Sequence, residues 1–161
     1  MFNLKAEFYL KIIFLFSFIA LISAFFIEYI LGHQPCNLCL IERIPYGLSI
    51  MIIMAIFLIR KNQKFLVMLL ILTFIFSFAI SFYHFGIEQG FFQESSVCGV
   101  KSSTEIVTKE DLLKQLSEKT ISCKDVTFRI FGLSLTSINI VINLLFIITL
   151  LKIFKKYEKN K

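Results

Sequence analysis

Cys36 and Cys39, separated by two residues, are the side chains of this sequence best suited to chemistry. A Cys-x-x-Cys pair can close a disulfide and exchange it with another thiol, which moves two electrons between sulfur pairs. Cys39 lies near the start of an apolar segment, where the N-terminus of a helix would stabilise a thiolate. Arg43 follows four residues later and is expected on the same helical face, as a cation for that thiolate. The cluster predicts redox chemistry at the end of a helix.

Two further cysteines, Cys98 and Cys123, bring the total to four, and all of them lie outside the apolar segments. Inert cysteines are usually buried in such segments, so these positions favour reactivity. A structural zinc site usually shows a second close pair, whereas Cys98 and Cys123 are 25 residues apart; we predict no metal site. A scaffold with two structural disulfides is the open alternative, although a Cys-x-x-Cys bridge closes a very short loop and removes little unfolded-state entropy.

The composition of the 161-residue chain is that of a membrane protein. It is 57% hydrophobic, its mean hydropathy is +0.80, and phenylalanine occurs 20 times. In a soluble protein the net charge of +6 could indicate a nucleic-acid partner. Here the lysines stand mainly at the ends of apolar runs, where they set topology and face anionic headgroups. We therefore predict the lipid bilayer, and no nucleic acid, as a partner.

Four apolar runs predict an all-α membrane protein, a four-transmembrane-helix bundle that forms a single membrane domain over residues 1–161. The third run has 21 residues and would extend about 31 Å, roughly one hydrocarbon core. Pro45 is expected in the first turns of the second helix, where a missing N–H is tolerated. A cleaved signal peptide is a less favoured interpretation of the first run, because that run is long and three others follow. The predicted spans are residues 12–31, 40–59, 65–85 and 133–151.

Two predicted loops, residues 32–39 and 87–129, hold the cysteines at one side of the membrane. The longer loop carries nearly balanced charge. Within it, Thr108 followed by Lys109-Glu110-Asp111 predicts a helix N-cap with an acidic first turn. We therefore predict a short amphipathic helix in this loop, lying on the membrane surface or covering the other loop.

Basic residues cluster at the opposite side, in Lys5 and Lys11, the loop of residues 60–64 and the lysine-rich tail. The positive-inside rule makes that side cytoplasmic. Both termini are therefore predicted in the cytoplasm and all four cysteines outside it, where disulfides persist. In the last span, Asn139 and Asn143 are four residues apart and are expected to face the bundle.

Two cysteine pairs at one membrane face favour an electron relay. The pair Cys98 and Cys123, on the long loop, can meet a soluble partner. The pair Cys36 and Cys39, at the bilayer boundary, can meet a lipid-soluble acceptor. A quinone is the natural candidate for this acceptor, because it resides in the membrane and accepts two electrons.

At these residues the chain resembles the DsbB family of disulfide-bond formation proteins, over nearly its whole length. The resemblance implies a multi-pass enzyme of the bacterial inner membrane, a thiol:quinone oxidoreductase. Such an enzyme reoxidises a periplasmic DsbA-like thioredoxin-fold protein and passes the electrons to ubiquinone or menaquinone. The matching pieces are Pro35-Cys36-x-x-Cys39-x-x-Glu42-Arg43, Tyr83-His84-Phe85-Gly86-Ile87-Glu88, Cys98, and Cys123 followed by Phe131-Gly132-Leu133-Ser134.

The resemblance also implies roles for single residues. Cys98 would accept attack from the partner's thiolate, and Cys123 would exchange with Cys36. Cys39 would be the thiolate that faces the quinone, and Arg43 would polarise a quinone oxygen. His84 occupies a position near the quinone in the family, and an interfacial histidine without a role is an equal alternative. A VKOR-like quinone or epoxide reductase also has four spans, but its loop cysteines typically precede the Cys-x-x-Cys.

Overall fold

The computed structural model describes residues 4–59, 62–93, 98, 122–124, 129–130 and 133–159. In this part of the chain, four helices are long and apolar enough to cross a membrane, which confirms the predicted all-α membrane bundle. They are α1 (Leu4–Tyr29), α2 (Asn37–Leu58), α3 (Gln63–Glu88) and α4 (Leu135–Lys159). A short antiparallel pair, β1 (Arg129–Ile130) and β2 (Leu133–Ser134), precedes α4 and was not predicted. The amphipathic helix predicted after Thr108 lies outside the described residues.

The helices are longer than the predicted spans, chiefly where charged residues stand at their ends. The helix α1 begins at Leu4 rather than at residue 12, and Glu7 and Lys11 form an ion pair of 3.5 Å along its first turns. Cys39 lies inside α2 and not in the first loop. The helices exceed the predicted spans because an apolar run contains only the residues that cross the hydrocarbon core, whereas a helix continues into its charged ends.

Pro45 lies within α2, more than two turns from Asn37, so the prediction that it falls in the first turns is wrong. Its ring removes the N–H that would bond the carbonyl of Ile41, yet the helix continues to Leu58. The Pro45 side chain is fully buried between neighbouring helices. Packing therefore compensates for the lost hydrogen bond, as it commonly does in membrane helices.

A hydrophobic core joins one end of all four helices. Its buried members include Leu10 of α1, Ile53 of α2, Leu70 of α3 and Leu150 of α4. Leu10 and Leu70 lie near the starts of their helices, whereas Ile53 and Leu150 lie near the ends. Successive helices therefore run in opposite directions, and the start of α1 lies at the same end of the bundle as the end of α4.

Lys5, Lys11, Lys64 and Lys152 lie on the helix ends around this core, and the cysteines lie at the other end of the bundle, with the start of α2 and the end of α3. The ammonium group of Lys64 lies 5.2 Å from the centroid of the Phe154 ring, which ties the start of α3 to the end of α4. The described lysines of the four helices thus lie at one end of the bundle.

Apolar side chains also cover the outer surface of the helices. Phe18, Met51, Phe76 and Leu145 are each about half exposed or more. A helix of a soluble bundle would carry polar residues on that outer face. This surface suits the lipid bilayer.

The asparagines of α4 face the interior, as predicted. Asn143 is fully buried and donates hydrogen bonds to Ser77 at 3.0 Å and to Asn139 at 3.3 Å. Asn139 donates to Ser81 at 2.8 Å, and the Tyr46 hydroxyl donates to the Asn139 carbonyl oxygen. These five residues, the asparagine ladder, join α2, α3 and α4.

We expect Asn143→Leu to lower the free energy of unfolding by about 1 to 2 kcal/mol, because Ser77 and Asn139 lose a partner in a dry interior. Thermal unfolding of the detergent-solubilised protein measures the change. Val141→Leu, on the exposed face of α4, is the matched control and should have an effect below about 0.5 kcal/mol. Equal destabilisation by the two variants would contradict a role for the ladder.

Candidate active site

The four cysteines converge at the end of the bundle opposite the lysines. Cys98 and Cys123 form a disulfide, with their Cα atoms 5.6 Å apart. Cys36 and Cys39 are free cysteines whose sulfur atoms lie 2.7 Å apart. Cys36, Cys98 and Cys123 belong to one buried cluster with apolar side chains of α2 and α3. The fold therefore brings together sulfur atoms that the sequence places in separate loops.

The Cys98–Cys123 disulfide is buried, with exposed fractions of 1% and 2% for the two residues. The sequence analysis expected this pair to be accessible to a soluble partner. That expectation came from the polar composition of the long loop, which does not reveal which of its residues pack inward. In the structure the disulfide lies against Cys36 and Ile87.

Cys36 is the N-cap of α2, and its sulfur accepts a hydrogen bond from the backbone N–H of Cys39 at 3.3 Å. The Cys39 thiol, 2.7 Å away, and His84 Nε2, 3.6 Å away, also face this sulfur. The hydrogen bond from the Cys39 thiol, and after it that from His84, outweigh desolvation and lower the pKa of the Cys36 thiol to about 4. Because three donors face the Cys36 sulfur, we expect the stabilised thiolate there, whereas the sequence analysis expected it on Cys39.

Titration of the reduced protein checks this assignment. We expect the first thiol of a Cys98→Ala/Cys123→Ala variant to lose its proton near pH 4, seen as thiolate ultraviolet absorbance. Because the pKa of folded Cys36 lies below the ordinary value of 9.0, the reduced protein should become more stable as pH rises between these values, and lose that stability as pH falls towards 4. Cys39→Ala removes the hydrogen bond from the Cys39 thiol, which is the largest cause of the lowered pKa, and should therefore raise the pKa of Cys36. A first transition in the ordinary thiol range would contradict the assignment.

A cavity of about 270 Å³ lies between α1, α2 and α4, and Cys39 is one of the residues that line it. It occupies the gap between α1 and α4, which contact each other less than the successive helices do. Its wall is mainly apolar, with Ala24 and Ile27 from α1, and its polar groups include Arg43 and Asn139. An apolar pocket with a few convergent polar groups is typical of a small-molecule site.

Arg43 lines this cavity, but its partner in the described part of the chain is Glu28 and not Cys39. A guanidinium N–H of Arg43 donates to a Glu28 carboxylate oxygen, and the guanidinium carbon lies 5.3 Å from the centroid of the Phe25 ring. Glu28 lies inside the apolar run of the first predicted span, residues 12–31, and the sequence analysis assigned no role to it. A carboxylate inside such a run needs a partner, and this requirement was the signal that could have revealed the pair.

Glu42 is a second residue that the sequence analysis did not assign to the site. One of its oxygens lies 2.9 Å from His84 Nδ1, and the other accepts a hydrogen bond from Asn139 Nδ2 at 2.9 Å. Glu42 also lines the cavity. It therefore connects the sulfur side of the site to the cavity side.

His84 is buried beside the sulfur atoms, and it is not among the described residues that line the cavity. Its ring nitrogens face Glu42 and Cys36. The family resemblance implies a position near the quinone, which stays a prediction; in the structure the His84 ring lies next to Cys36. The histidine is placed there because α3 crosses the start of α2.

Gly86 allows α3 to end close to the cysteine cluster. Its carbonyl oxygen accepts hydrogen bonds from the backbone N–H groups of Phe91 and Phe92, and the Phe92 ring covers the place where a Cβ would stand. The Phe92 ring stacks on Tyr83 at 5.7 Å, and Tyr83 packs on the cysteine cluster.

We expect Gly86→Ala to displace the Phe92 ring and to cost about 1 to 3 kcal/mol of stability. Thermal unfolding measures this cost. Gly47→Ala, at a position in α2 where a Cβ meets open space, is the control and should not destabilise. Equal melting temperatures for Gly86→Ala and the parent protein would contradict the expected overlap.

Comparisons with known proteins agree with this arrangement. The sequence model of the family described as "Disulfide bond formation protein DsbB" matches residues 6–153. Uncharacterized protein RP370 of Rickettsia prowazekii (strain Madrid E) is 33% identical over 147 residues, which cover 90% of this chain and 86% of that protein. The family match includes all four cysteines and the greater part of every helix. The chain therefore belongs to the DsbB family of disulfide bond formation proteins.

Proposed function

We propose that this protein is a thiol:quinone oxidoreductase. It reoxidises a periplasmic DsbA-like thioredoxin-fold protein and passes the electrons to membrane ubiquinone or menaquinone. The observation that carries this proposal is the sequence of contacts from a buried disulfide, through Cys36, to Cys39 at the wall of an apolar cavity. Thiol–disulfide exchange can follow such contacts, because each exchange needs a thiolate next to a disulfide sulfur.

The exchanges balance as follows. A thiolate of the reduced partner attacks Cys98 once the packing around this buried residue opens, and Cys123 leaves as a thiolate. Cys123 attacks Cys36 of a Cys36–Cys39 disulfide, and Cys39 leaves. The second thiol of the partner closes the partner's disulfide and frees Cys98, which then displaces Cys36 from Cys123. The partner has lost two electrons and two protons, and Cys36 and Cys39 hold them. At the end of these steps Cys98 and Cys123 are bonded again, and Cys36 and Cys39 are both thiols.

The cavity fits a quinone, because its wall is mostly apolar and its polar groups gather beside Cys39. When bound there, a quinone supplies an acceptor for two electrons and two protons. Arg43 and Asn139 would hold it with polar contacts, and Ala24 and Ile27 would contact its apolar face. The Cys36 thiolate is stabilised at the helix end, from which it can close the disulfide with Cys39 again. We assign His84 to the stabilisation of that thiolate.

We further propose that the lysine-rich end of the bundle faces the cytoplasm of a bacterial cell. The positive-inside rule supports this orientation, since Lys5, Lys64 and Lys152 lie at helix ends around one core. Both termini would then be cytoplasmic, and the cysteines would lie in the oxidising periplasm.

Quinone reduction by the purified full-length protein tests the proposal. The protein in detergent receives a reduced DsbA-type partner and either quinone, and quinone absorbance is followed with and without the partner. We expect reduction that depends on the partner. A folded protein with intact disulfides that reduces neither quinone would overturn the proposal and favour the structural scaffold. When a Cys123→Ser variant receives the oxidised partner instead, we expect a mixed disulfide, because the Cys98 thiolate attacks the partner's disulfide and one partner sulfur leaves as a thiolate.

A further inference from the structure

Three atoms that bind soft metal ions converge at the start of α2. The sulfur atoms of Cys36 and Cys39 and a ring nitrogen of His84 all lie within 4.8 Å of one another. The sequence analysis predicted no metal site, because it looked for a second close pair of cysteines. The fold supplies the third ligand instead, since α3 places His84 beside the Cys-x-x-Cys.

The orientation of His84 is the one found in metal-binding histidines. Its Nδ1 lies 2.9 Å from a Glu42 oxygen, so that Nε2 points towards Cys36 at 3.6 Å. Metal-ligating histidines almost always donate their other N–H to a carboxylate or carbonyl group. A tetrahedral zinc ion about 2.3 Å from sulfur and about 2.0 Å from nitrogen requires roughly 3.5 Å between the two ligand atoms. The observed separation of Cys36 Sγ and His84 Nε2 is close to that value.

Glu88 places a buried carboxylate next to His84. Its side chain is 5% exposed, and Oε1 lies 3.9 Å from His84 Nε2 and accepts a hydrogen bond from Thr136 at 2.6 Å. Its Oε2 is buried and has no hydrogen-bond partner among the described residues. A buried carboxylate with an unpartnered oxygen is costly, and a positive charge held at the neighbouring His84 lowers that cost.

We propose that the reduced Cys36–Cys39 pair and His84 form a three-ligand binding site for a divalent cation of the zinc class. Binding forms two metal–sulfur bonds and one metal–nitrogen bond; the remaining thiol protons and the proton that His84 Nε2 donates towards Cys36 are released to solvent, and no electrons move. The sulfur atoms, now 2.7 Å apart, must separate by about 1 Å, because two thiolates on one tetrahedral zinc are roughly 3.8 Å apart. The Cys36–Cys39 disulfide cannot supply these thiolates, so the site exists in the dithiol state alone.

A cation at this site occupies both sulfur atoms and stops their exchange. The same residues would then make the protein sensitive to zinc when it is reduced and insensitive when it is oxidised. This inference needs only a reducible Cys36–Cys39 pair, so it does not rest on the proposed acceptor or partner.

Zinc binding by the full-length protein in detergent tests the inference. The protein is reduced anaerobically with a phosphine that competes weakly for metal, and zinc is added alone against a chromophoric chelator. We expect one tightly held zinc per reduced chain and none per oxidised chain. X-ray absorption at the zinc edge should show two sulfur neighbours and at least one nitrogen. Equal zinc binding by the oxidised protein, or a zinc without sulfur neighbours, would overturn the proposal.

Variants locate the site. The Cys98→Ala/Cys123→Ala protein should keep its zinc, which places the metal at Cys36 and Cys39. His84→Ala should weaken zinc binding at least about tenfold, whereas His33→Ala, which removes the other histidine of the chain, should not. Unchanged affinity in folded His84→Ala would overturn the three-ligand site. If that variant does not fold, X-ray absorption of the parent protein decides, because a spectrum without nitrogen would also overturn it. Neither readout involves quinone, so a protein that binds zinc but reduces no quinone can be distinguished from one that fails to bind zinc.

Discussion

Cys39→Ala is expected to reduce partner-dependent quinone reduction to the uncatalysed background and to trap a disulfide between Cys36 and a loop cysteine. Cys39 is the thiol of the pair that lines the cavity, and its sulfur is 2.7 Å from Cys36. Without it, Cys36 can still exchange with Cys98 or Cys123, which share its buried cluster. The pair cannot close afterwards, so electrons cannot leave the sulfur atoms.

Two measurements check this result. Quinone absorbance gives the turnover, and mass spectrometry of unreduced peptides identifies the disulfide that accumulates. Leu40→Ala is the matched control, because it changes the adjacent side chain, which is 43% exposed; this variant should keep both turnover and the Cys36–Cys39 pair. Turnover above background in Cys39→Ala would show that electrons leave through another residue.

The helices and their polar faces could be predicted because those features depend on residues close together in the chain. Asn139 and Asn143 are four apart, and helical periodicity alone places them on one face. Their burial against Ser77 and Ser81 follows from the cost of exposing an amide to lipid. The same local argument located the Cys-x-x-Cys at the start of α2.

The contacts within the site could not be predicted in this way, because they join residues far apart in the chain. The helical spacing of Cys39 and Arg43 is correct, yet Arg43 pairs with Glu28, 15 residues earlier. A carboxylate inside an apolar helix needs a cation more than a thiol does, so the ion pair with α1 prevails. Likewise His84 and Glu42 are 42 residues apart, and only the crossing of α2 and α3 brings them together.

Glu42→Gln is expected to lower quinone turnover by roughly a hundredfold while the first exchange with the partner proceeds at the parent rate. The Glu42 carboxylate is an acceptor on both oxygens, for His84 Nδ1 and for Asn139 Nδ2. A glutamine amide accepts on its oxygen alone and turns a donating NH₂ towards the other partner. Either His84 loses the orientation that directs it at Cys36, or Asn139 loses its position at the cavity.

Two readouts separate this positioning effect from general damage to the fold. Reduction of the Cys98–Cys123 disulfide by the partner should be unchanged, whereas the pKa of Cys36 should rise if His84 turns away, since His84 helps to lower it. Glu7→Gln, which removes a carboxylate from the exposed ion pair at the other end of α1, should change neither readout. If Glu42→Gln slowed both steps equally, the residue would be needed for the fold. If Glu42→Gln slowed neither step, the hydrogen bonds of Glu42 to His84 and Asn139 would not be needed for turnover. The packing of α3 alone would then hold His84 in place.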